Sequence, residues 1–234
     1  NPVTGETITD NEIQKDWLGA SNVAPQVILR PGGSMSDIYV NHELKRDLNG
    51  NIEIDPSTGN LSIAETDFRK VGQLSPRYTM GWSNSFGYKG IELGAVLTAR
   101  IGGLTYSATQ GVLDYYGASQ ATADARDRGG IPINYGTVDP QKYYSAISTA
   151  EGGYGAYYLY SATNVRLQEL SLNYNLRTPG LRKALGLQSI DFQVMCENLA
   201  VWDGVDIFDP EQAMDTGHAY PIPRRFSLQI YLNF

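Results

Sequence analysis

The last nine residues of the chain, Phe226-Ser-Leu-Gln-Ile-Tyr-Leu-Asn-Phe234, alternate strictly between apolar and polar side chains. Successive side chains of an extended strand point to opposite faces, so every second residue from Phe226 to Phe234 shares one apolar face. A soluble domain rarely ends inside an apolar strand, because chain termini usually fray into water. The stretch therefore predicts a long strand and favours a sheet that presents its apolar face to lipid.

Four earlier stretches repeat this alternation. Residues 77–89 and 91–101 form a predicted hairpin around a tight turn at Lys89-Gly90, and shorter alternating stretches follow at 170–176 and 190–196. Each arm of the hairpin is roughly a dozen residues long, whereas globular strands average about 5–6 residues and membrane strands need about 9–11. The charged side chains of these regular stretches all lie opposite the apolar face: Arg77, Lys89, Glu92, Arg100, Glu169, Asp191, Glu197 and Arg225.

The pattern predicts an all-β fold, a transmembrane antiparallel β-barrel, in preference to a soluble β-sandwich. The connections alternate between short or moderate and long, as periplasmic turns and extracellular loops do. Five strands cannot close a barrel, and an open edge in a bilayer leaves backbone N–H and C=O groups without partners. We therefore expect the C-terminal strands of a larger barrel. The expected organisation is an extracellular loop region with short hairpins at 1–76 and barrel strands at 77–234, with extracellular loops at 103–156 and 198–223 and a helix near 118–128.

Composition excludes several other classes of protein. The net charge of −7 argues against a nucleic-acid partner. No run of residues approaches the roughly 18 apolar positions that a spanning helix needs. Residues 1–6 have neither a basic start nor an apolar core, so we expect either that a signal peptide was removed or that the chain begins partway through a longer protein. Sixteen Tyr and 25 Gly suit β-structure and long loops better than a helical protein.

Several segments resemble the SusC-like TonB-dependent receptors of Gram-negative outer membranes. They are Pro31-Gly-Gly-Ser-Met-Ser-Asp-Ile-Tyr-Val40, Tyr78-Thr-Met-Gly-Trp-Ser-Asn-Ser-Phe-Gly-Tyr-Lys-Gly90, Ala118-Ser-Gln-Ala-Thr-Ala-Asp-Ala-Arg-Asp-Arg-Gly-Gly130, Ala162-Thr-Asn-Val-Arg-Leu-Gln-Glu-Leu-Ser-Leu172, Glu197-Asn-Leu199 and the ending from Pro223 to Phe234. Their order and spacing run through most of the chain. The plug, the TonB-contact segment and the early strands of that family have no counterpart in the sequence.

This resemblance implies a cell outer-membrane, multi-pass transport protein that imports oligosaccharides, or in some members peptides. It implies a barrel of about 22 strands with an internal plug. The implied partners are a SusD-like surface lipoprotein that acts as a lid, TonB acting through the missing plug region, and the remaining N-terminal barrel and plug segment. The alternative is a non-transporting surface binding or adhesion protein on a passive β-barrel.

Candidate substrate contacts lie in the predicted loops. Trp202, Asp203 and Asp206 combine an aromatic ring with carboxylates, which suits sugars held by ring stacking and hydrogen bonds. Tyr115, Tyr116 and Tyr157 are weaker candidates of the same kind, and the simpler alternative for all six is that they pack the loops together. We expect an ion pair between Arg100 and Glu169 on neighbouring strands. No catalytic residues, metal ligands or cofactors are predicted, because no nucleophile elbow or EF-hand spacing is present.

Overall fold

The computed structural model describes residues 15–17, 23–133, 136–150, 152–205, 209–211 and 222–234. They divide into two compact units, the first drawn from 1–75, 103–161 and 207–220 and the second from 76–102, 162–206 and 221–234. The strands of the described residues are β1 (Lys15–Trp17), β2 (Gln26–Ile28), β3 (Asp37–Leu44), β4 (Ile63–Gln73), β5 (Tyr78–Tyr88), β6 (Ile91–Ile101), β7 (Leu104–Tyr106), β8 (Ile131–Ile133), β9 (Gly136–Val138), β10 (Ser148–Thr149), β11 (Gly152–Gly153), β12 (Leu159–Ser161), β13 (Asn164–Leu176), β14 (Ser189–Asp203) and β15 (Arg225–Asn233). The helices are α1 (Ala108–Tyr115), α2 (Gln120–Asp127), α3 (Pro140–Ile147) and α4 (Pro179–Leu185).

The second unit is built on one five-stranded antiparallel sheet with the order β15-β14-β13-β6-β5. Its register places the predicted apolar residues side by side across all five strands. One row runs Leu228, Val194, Leu172, Leu93 and Phe86. The strands are 9 to 15 residues long, as the alternation predicts for a barrel segment. The predicted all-β, partial antiparallel barrel is confirmed.

The hairpin between β5 and β6 closes through the predicted two-residue turn. Lys89 and Gly90 both have positive φ, at 48° and 83°. Two central residues with positive φ define the type I′ turn, whose twist matches that of the flanking strands. A side chain at Gly90 would also meet the backbone oxygen of Asn175 at 2.8 Å. Glycine is therefore required here for both conformation and space.

Two details of this sheet correct the sequence predictions. β14 continues to Asp203 instead of giving way to a loop at 198, because residues 200–203 pair with residues 164–167 of β13. The expected Arg100–Glu169 ion pair is wrong: the register puts Arg100 opposite Asn164 and Glu169 opposite Val96. An ion pair within the described part of the sheet joins Arg225 Nη1 to Glu197 Oε2 at 3.0 Å.

The first unit has its own sheet and core. β1 to β4 form an antiparallel sheet in that order, and small two-stranded sheets pair β7 with β12, β8 with β9, and β10 with β11. The core is aromatic and aliphatic, with Ile38, Leu44, Tyr106, Tyr154 and Tyr158 among its buried members. The 11-residue strand β4 was not predicted, since its sequence mixes apolar and charged residues without a period.

Three short helices lie in the segment for which the sequence predicted a long loop with one helix. α1 and α2 follow β7, and α3 follows β9. That helix is confirmed as α2, and Ser119 caps it by accepting a hydrogen bond from the Thr122 N–H. Ser107 caps α1 in the same way, through Gln110 N–H. Asp139 caps α3, which begins with Pro140, a residue suited to the first helical position. Among the described residues, no helix has the length and apolar character needed to cross a membrane.

Candidate functional site

Tyr115 and Tyr116 lie at the C-terminal end of α1, on the rim of a cavity of about 200 Å³. Their rings meet edge to face with centroids 5.2 Å apart. Tyr116 is 68% exposed, so most of its ring is open to solvent. The cavity is completed by residues of α1, α2 and α3, including Arg126 and Tyr144. The structure thus gives these two candidates a shared concave surface with aromatic and charged walls.

Asp114 forms the buried part of that cavity, and the sequence predictions missed it. Its carboxylate accepts hydrogen bonds from Gln110 Nε2 at 2.8 Å and from the Tyr158 hydroxyl at 2.9 Å. Burial raises the pKa of Asp114, and the hydrogen bonds from Ser119, Tyr158 and Gln110 oppose that rise. The sequence around Asp114 does not indicate that its side chain is buried, because Tyr158, which contacts it, lies 44 residues away in the chain. Asp114 is therefore a buried acidic residue in the lining of this cavity.

Tyr157 belongs to a different cavity, of about 220 Å³, in the same unit. Its half-buried ring lies 5.5 Å from the ring of Tyr154, and burial raises the pKa of its hydroxyl. The other walls come from β3, β4 and the turn after β3, with His42, Glu43, Arg46 and Arg69. Tyr157 and the Tyr115–Tyr116 pair therefore serve two separate cavities, not one binding surface.

Trp202 and Asp203 point to opposite faces of the five-stranded sheet. Trp202 pairs with Val165, which pairs with Ala99 on the apolar face, and it is 55% exposed. Asp203 lies opposite Asn164 on the polar face, and its carboxylate accepts the Val205 N–H at 3.0 Å. The expectation that these two residues form one aromatic and acidic surface is therefore corrected. Asp206, the third member of that predicted group, lies outside the described residues.

The polar face of the second unit contains a further cavity, of about 330 Å³, which the sequence predictions did not include. Glu92 and Glu169 supply its charge, and Ser83, Ser171 and Asn173 line it. Gly94 opens the space, because a side chain there would overlap the Ser171 hydroxyl. The described part of the chain brings no three His, Cys, Asp or Glu side chains together as metal ligands.

The comparisons with known proteins concern the fold and the family resemblance of the chain. No protein-family model matches the chain. In sequence it is 29% identical, over 190 residues, to "TonB-dependent receptor P3" of Formosa agariphila, a match that covers 75% of this chain and 18% of that protein. In structure it is similar to the RagAB peptide importer in its "open-open" state, with a TM-score of 0.57, 16% identity and coverage of 89% of this chain and 25% of that one. A second RagAB structure, described as a peptide transporter, gives a TM-score of 0.55 with 18% identity and coverage of 91% and 24%.

The resemblance to SusC-like TonB-dependent receptors is confirmed. The chain spans between about a fifth and a quarter of the length of these relatives and structural neighbours. The relatives are named as a receptor and as importers, not as enzymes. At 16–18% identity the structural likeness establishes the fold of the barrel segment. The cavities described above are features of this chain's own residues.

Proposed function

We propose that this chain is part of a TonB-dependent transporter of the outer membrane that imports oligosaccharides. In this proposal the five-stranded sheet is a multi-pass segment of the barrel wall. The rest of the receptor supplies the remaining strands, the plug and the contact with TonB. A SusD-like surface lipoprotein acts as the lid over the extracellular mouth. Residues 1–76, 103–156 and the segment from 204, after the end of β14, to 223 belong to the extracellular side.

The distribution of charge across the five-stranded sheet is the observation that carries the proposal. Phe226 and Leu228 are 67% and 68% exposed. The residues beside them on the same face are apolar on the other four strands, with the exception of Asn84 on β5. The ionised side chains of the sheet lie on the other face, where Arg225 pairs with Glu197. An exposed apolar surface of this extent is unfavourable in water and is expected of a strand that faces lipid. The sequence likeness to a TonB-dependent receptor supports the same interpretation.

The substrate class rests on the cavities of the first unit. Tyr115, Tyr116 and Tyr157 line concave surfaces that also contain charged groups, a combination suited to sugar rings. Peptides are the second candidate, supported by the likeness to RagAB, which is described as a peptide importer. Trp202 stays in the proposal only as a strand-end aromatic, since it projects from the apolar face. Asp203 is retained as a contact on the polar face.

Uptake by the complete receptor tests the proposal. The natural host, or a Gram-negative host supplied with the receptor and its lid lipoprotein, is given labelled oligosaccharides or peptides as the sole carbon source. We expect uptake that needs both the receptor and its TonB-contact segment, and copurification of the receptor with a lipoprotein. If the labelled substrate still binds to cells without the TonB-contact segment but never reaches the periplasm, the non-transporting adhesion alternative is favoured.

A further inference from the structure

The cavity beside Tyr157 contains an excess of positive charge in a strongly acidic chain. Two guanidinium groups, Arg46 and Arg69, line it together with one carboxylate, Glu43. The whole chain has 25 acidic and 18 basic residues. A local excess of arginine is therefore contrary to the general composition, which favours a local reason for it.

Arg46 has most of its hydrogen-bonding capacity available to a ligand. Its Nη1 donates to the Gly50 carbonyl at 2.8 Å, which fixes the side chain against the 47–51 turn and uses one of five N–H groups. The side chain is exposed. Burial raises the pKa of both Tyr143 and Tyr157, and the nearby charge of Arg46 opposes that rise. The guanidinium thus lies at the boundary between water and an aromatic wall. At such a boundary an ion pair is stronger than in open solvent.

Arg69 is held in position across the strands by Glu43. The distance from Arg69 Nη2 to Glu43 Oε2 is 3.1 Å, and both side chains are about half exposed or more. An exposed pair of this kind contributes little to stability, because solvent screens the two charges. Its effect on a ligand is larger, because Glu43 orients Arg69 and at the same time competes with any incoming anion for it.

We propose that the Arg46–Arg69–Tyr157 cavity is a subsite for a carboxylate carried by the transported polymer. Arginine is suited to this role because its planar fork binds a carboxylate through two parallel N–H···O bonds. The Tyr157 ring and Ala156 give an apolar wall on which the body of the carboxylate-bearing residue packs. A volume of about 220 Å³ accommodates one residue of a polymer and not a whole chain. The proposal rests on the function proposed above and specifies that the substrate is acidic.

Calorimetric binding to the complete receptor, purified in detergent, tests the subsite without requiring transport. The probes are trigalacturonate with its neutral trigalactose counterpart, and triglutamate with triglutamine. We expect the acidic member of at least one pair to bind more tightly than its neutral counterpart, with an affinity that falls as salt is raised. Which pair shows the preference identifies the source of the carboxylate as an acidic sugar or a peptide. Equal binding of both members in both pairs, or no binding of either acid, overturns the inference.

Three variants locate the effect. Arg46→Gln is expected to weaken binding of the preferred acid about tenfold, the effect of losing one charge-assisted contact. Arg128→Gln removes the same charge from the end of α2, outside the cavity, and should change the affinity less than about twofold because exposed charges at a distance are screened. Glu43→Gln frees Arg69 from its competing carboxylate and should strengthen binding, a gain that misfolding cannot produce. Weaker binding in Glu43→Gln, or an equal loss in Arg128→Gln, overturns the subsite.

Uptake separates this inference from the proposed function. A preference for acid that requires Arg46, found in a receptor that imports nothing, keeps the subsite and overturns transport. Import of neutral oligomers alone, with no preference in calorimetry, keeps transport and overturns the subsite.

Discussion

Replacing Leu228 by arginine tests whether the apolar face of the five-stranded sheet contacts hydrocarbon. Leu228 lies near the middle of β15, opposite Val194, whose other neighbour is Leu172. The three side chains are 68%, 45% and 46% exposed, so no second layer formed by the described residues covers them. An arginine at this position has no described acidic neighbour in its row. In a membrane it would have to reach water by extending past the lipid chains.

The magnitude follows from depth in the bilayer. An arginine on the lipid face of a barrel costs about 2–4 kcal/mol at the midplane and about 0–1 kcal/mol near the interfaces. Leu228→Arg should therefore reduce the folding equilibrium constant roughly 30- to 900-fold. Leu232→Arg, on the same face but near the end of β15, should cost about 0–1 kcal/mol. Gln229→Arg, the next residue along but on the polar face, should stay within about 0.5 kcal/mol, as surface changes do.

The assay is urea unfolding of the complete receptor in lipid vesicles, with the folded fraction read from the heat-modifiable mobility of the barrel on gels. The order of unfolding free energies should be wild type and Gln229→Arg together, then Leu232→Arg, then Leu228→Arg. The reasoning is refuted if Leu228→Arg is silent, or if Gln229→Arg costs as much as Leu228→Arg. Either result would mean that the apolar face is covered by protein.

Three further predictions concern individual contacts. A methyl group in Gly153→Ala would overlap the buried ring of Tyr158, so amide exchange of residues 108–115 should accelerate by an amount that corresponds to about 1–3 kcal/mol of local stability. Burial raises the pKa of Asp114, so the stability of the wild type should fall as pH rises from the unfolded pKa of about 3.9 through the folded pKa. The Asp114→Asn variant should lack that fall, so its stability relative to wild type should increase across this pH range and stay constant above it. Amide exchange of residues 108–115 at several pH values measures the difference. Arg225→Ala should cost no more than about 1 kcal/mol in urea unfolding, because the side chains of the Arg225–Glu197 pair are 72% and 31% exposed.

The regular part of the fold could be predicted because its constraint is local. Alternation with a period of two identifies both faces of a strand from the sequence alone, and Lys89-Gly90 specifies a two-residue turn. β4 was missed for the opposite reason. Its residues Ile63–Gln73 are held by pairing with β3, with a shift in register between Val40 and His42, and neither the partner nor the shift is encoded in a local period.

Some missed features did have a signal. Asp139-Pro140 is a capping residue followed by the residue favoured at the first helical position, so α3 could have been predicted from the pair. Trp202 likewise continues the alternation of Val194, Cys196 and Ala200, which assigns it to the apolar face once β14 is allowed to extend. The grouping of Trp202 with Asp203 failed because adjacent residues of a strand project to opposite sides. Asp114 had no such signal, since its burial depends on Tyr158.

The two units of this tyrosine-rich chain use different parts of the tyrosine side chain. In the first unit Tyr106 and Tyr158 are buried, and their hydroxyls donate to the Gly153 carbonyl and to Asp114. In the second unit Tyr78 and Tyr88 lie at opposite ends of β5 and are 65% and 71% exposed. An aromatic ring with a hydroxyl group suits both environments. In a core the ring is buried and the hydroxyl has a hydrogen-bond partner in the protein, whereas at the boundary between lipid and water the hydroxyl can bind water. Tyr106 and Tyr158 of the first unit and Tyr78 and Tyr88 of the second therefore use the same residue type in two different environments.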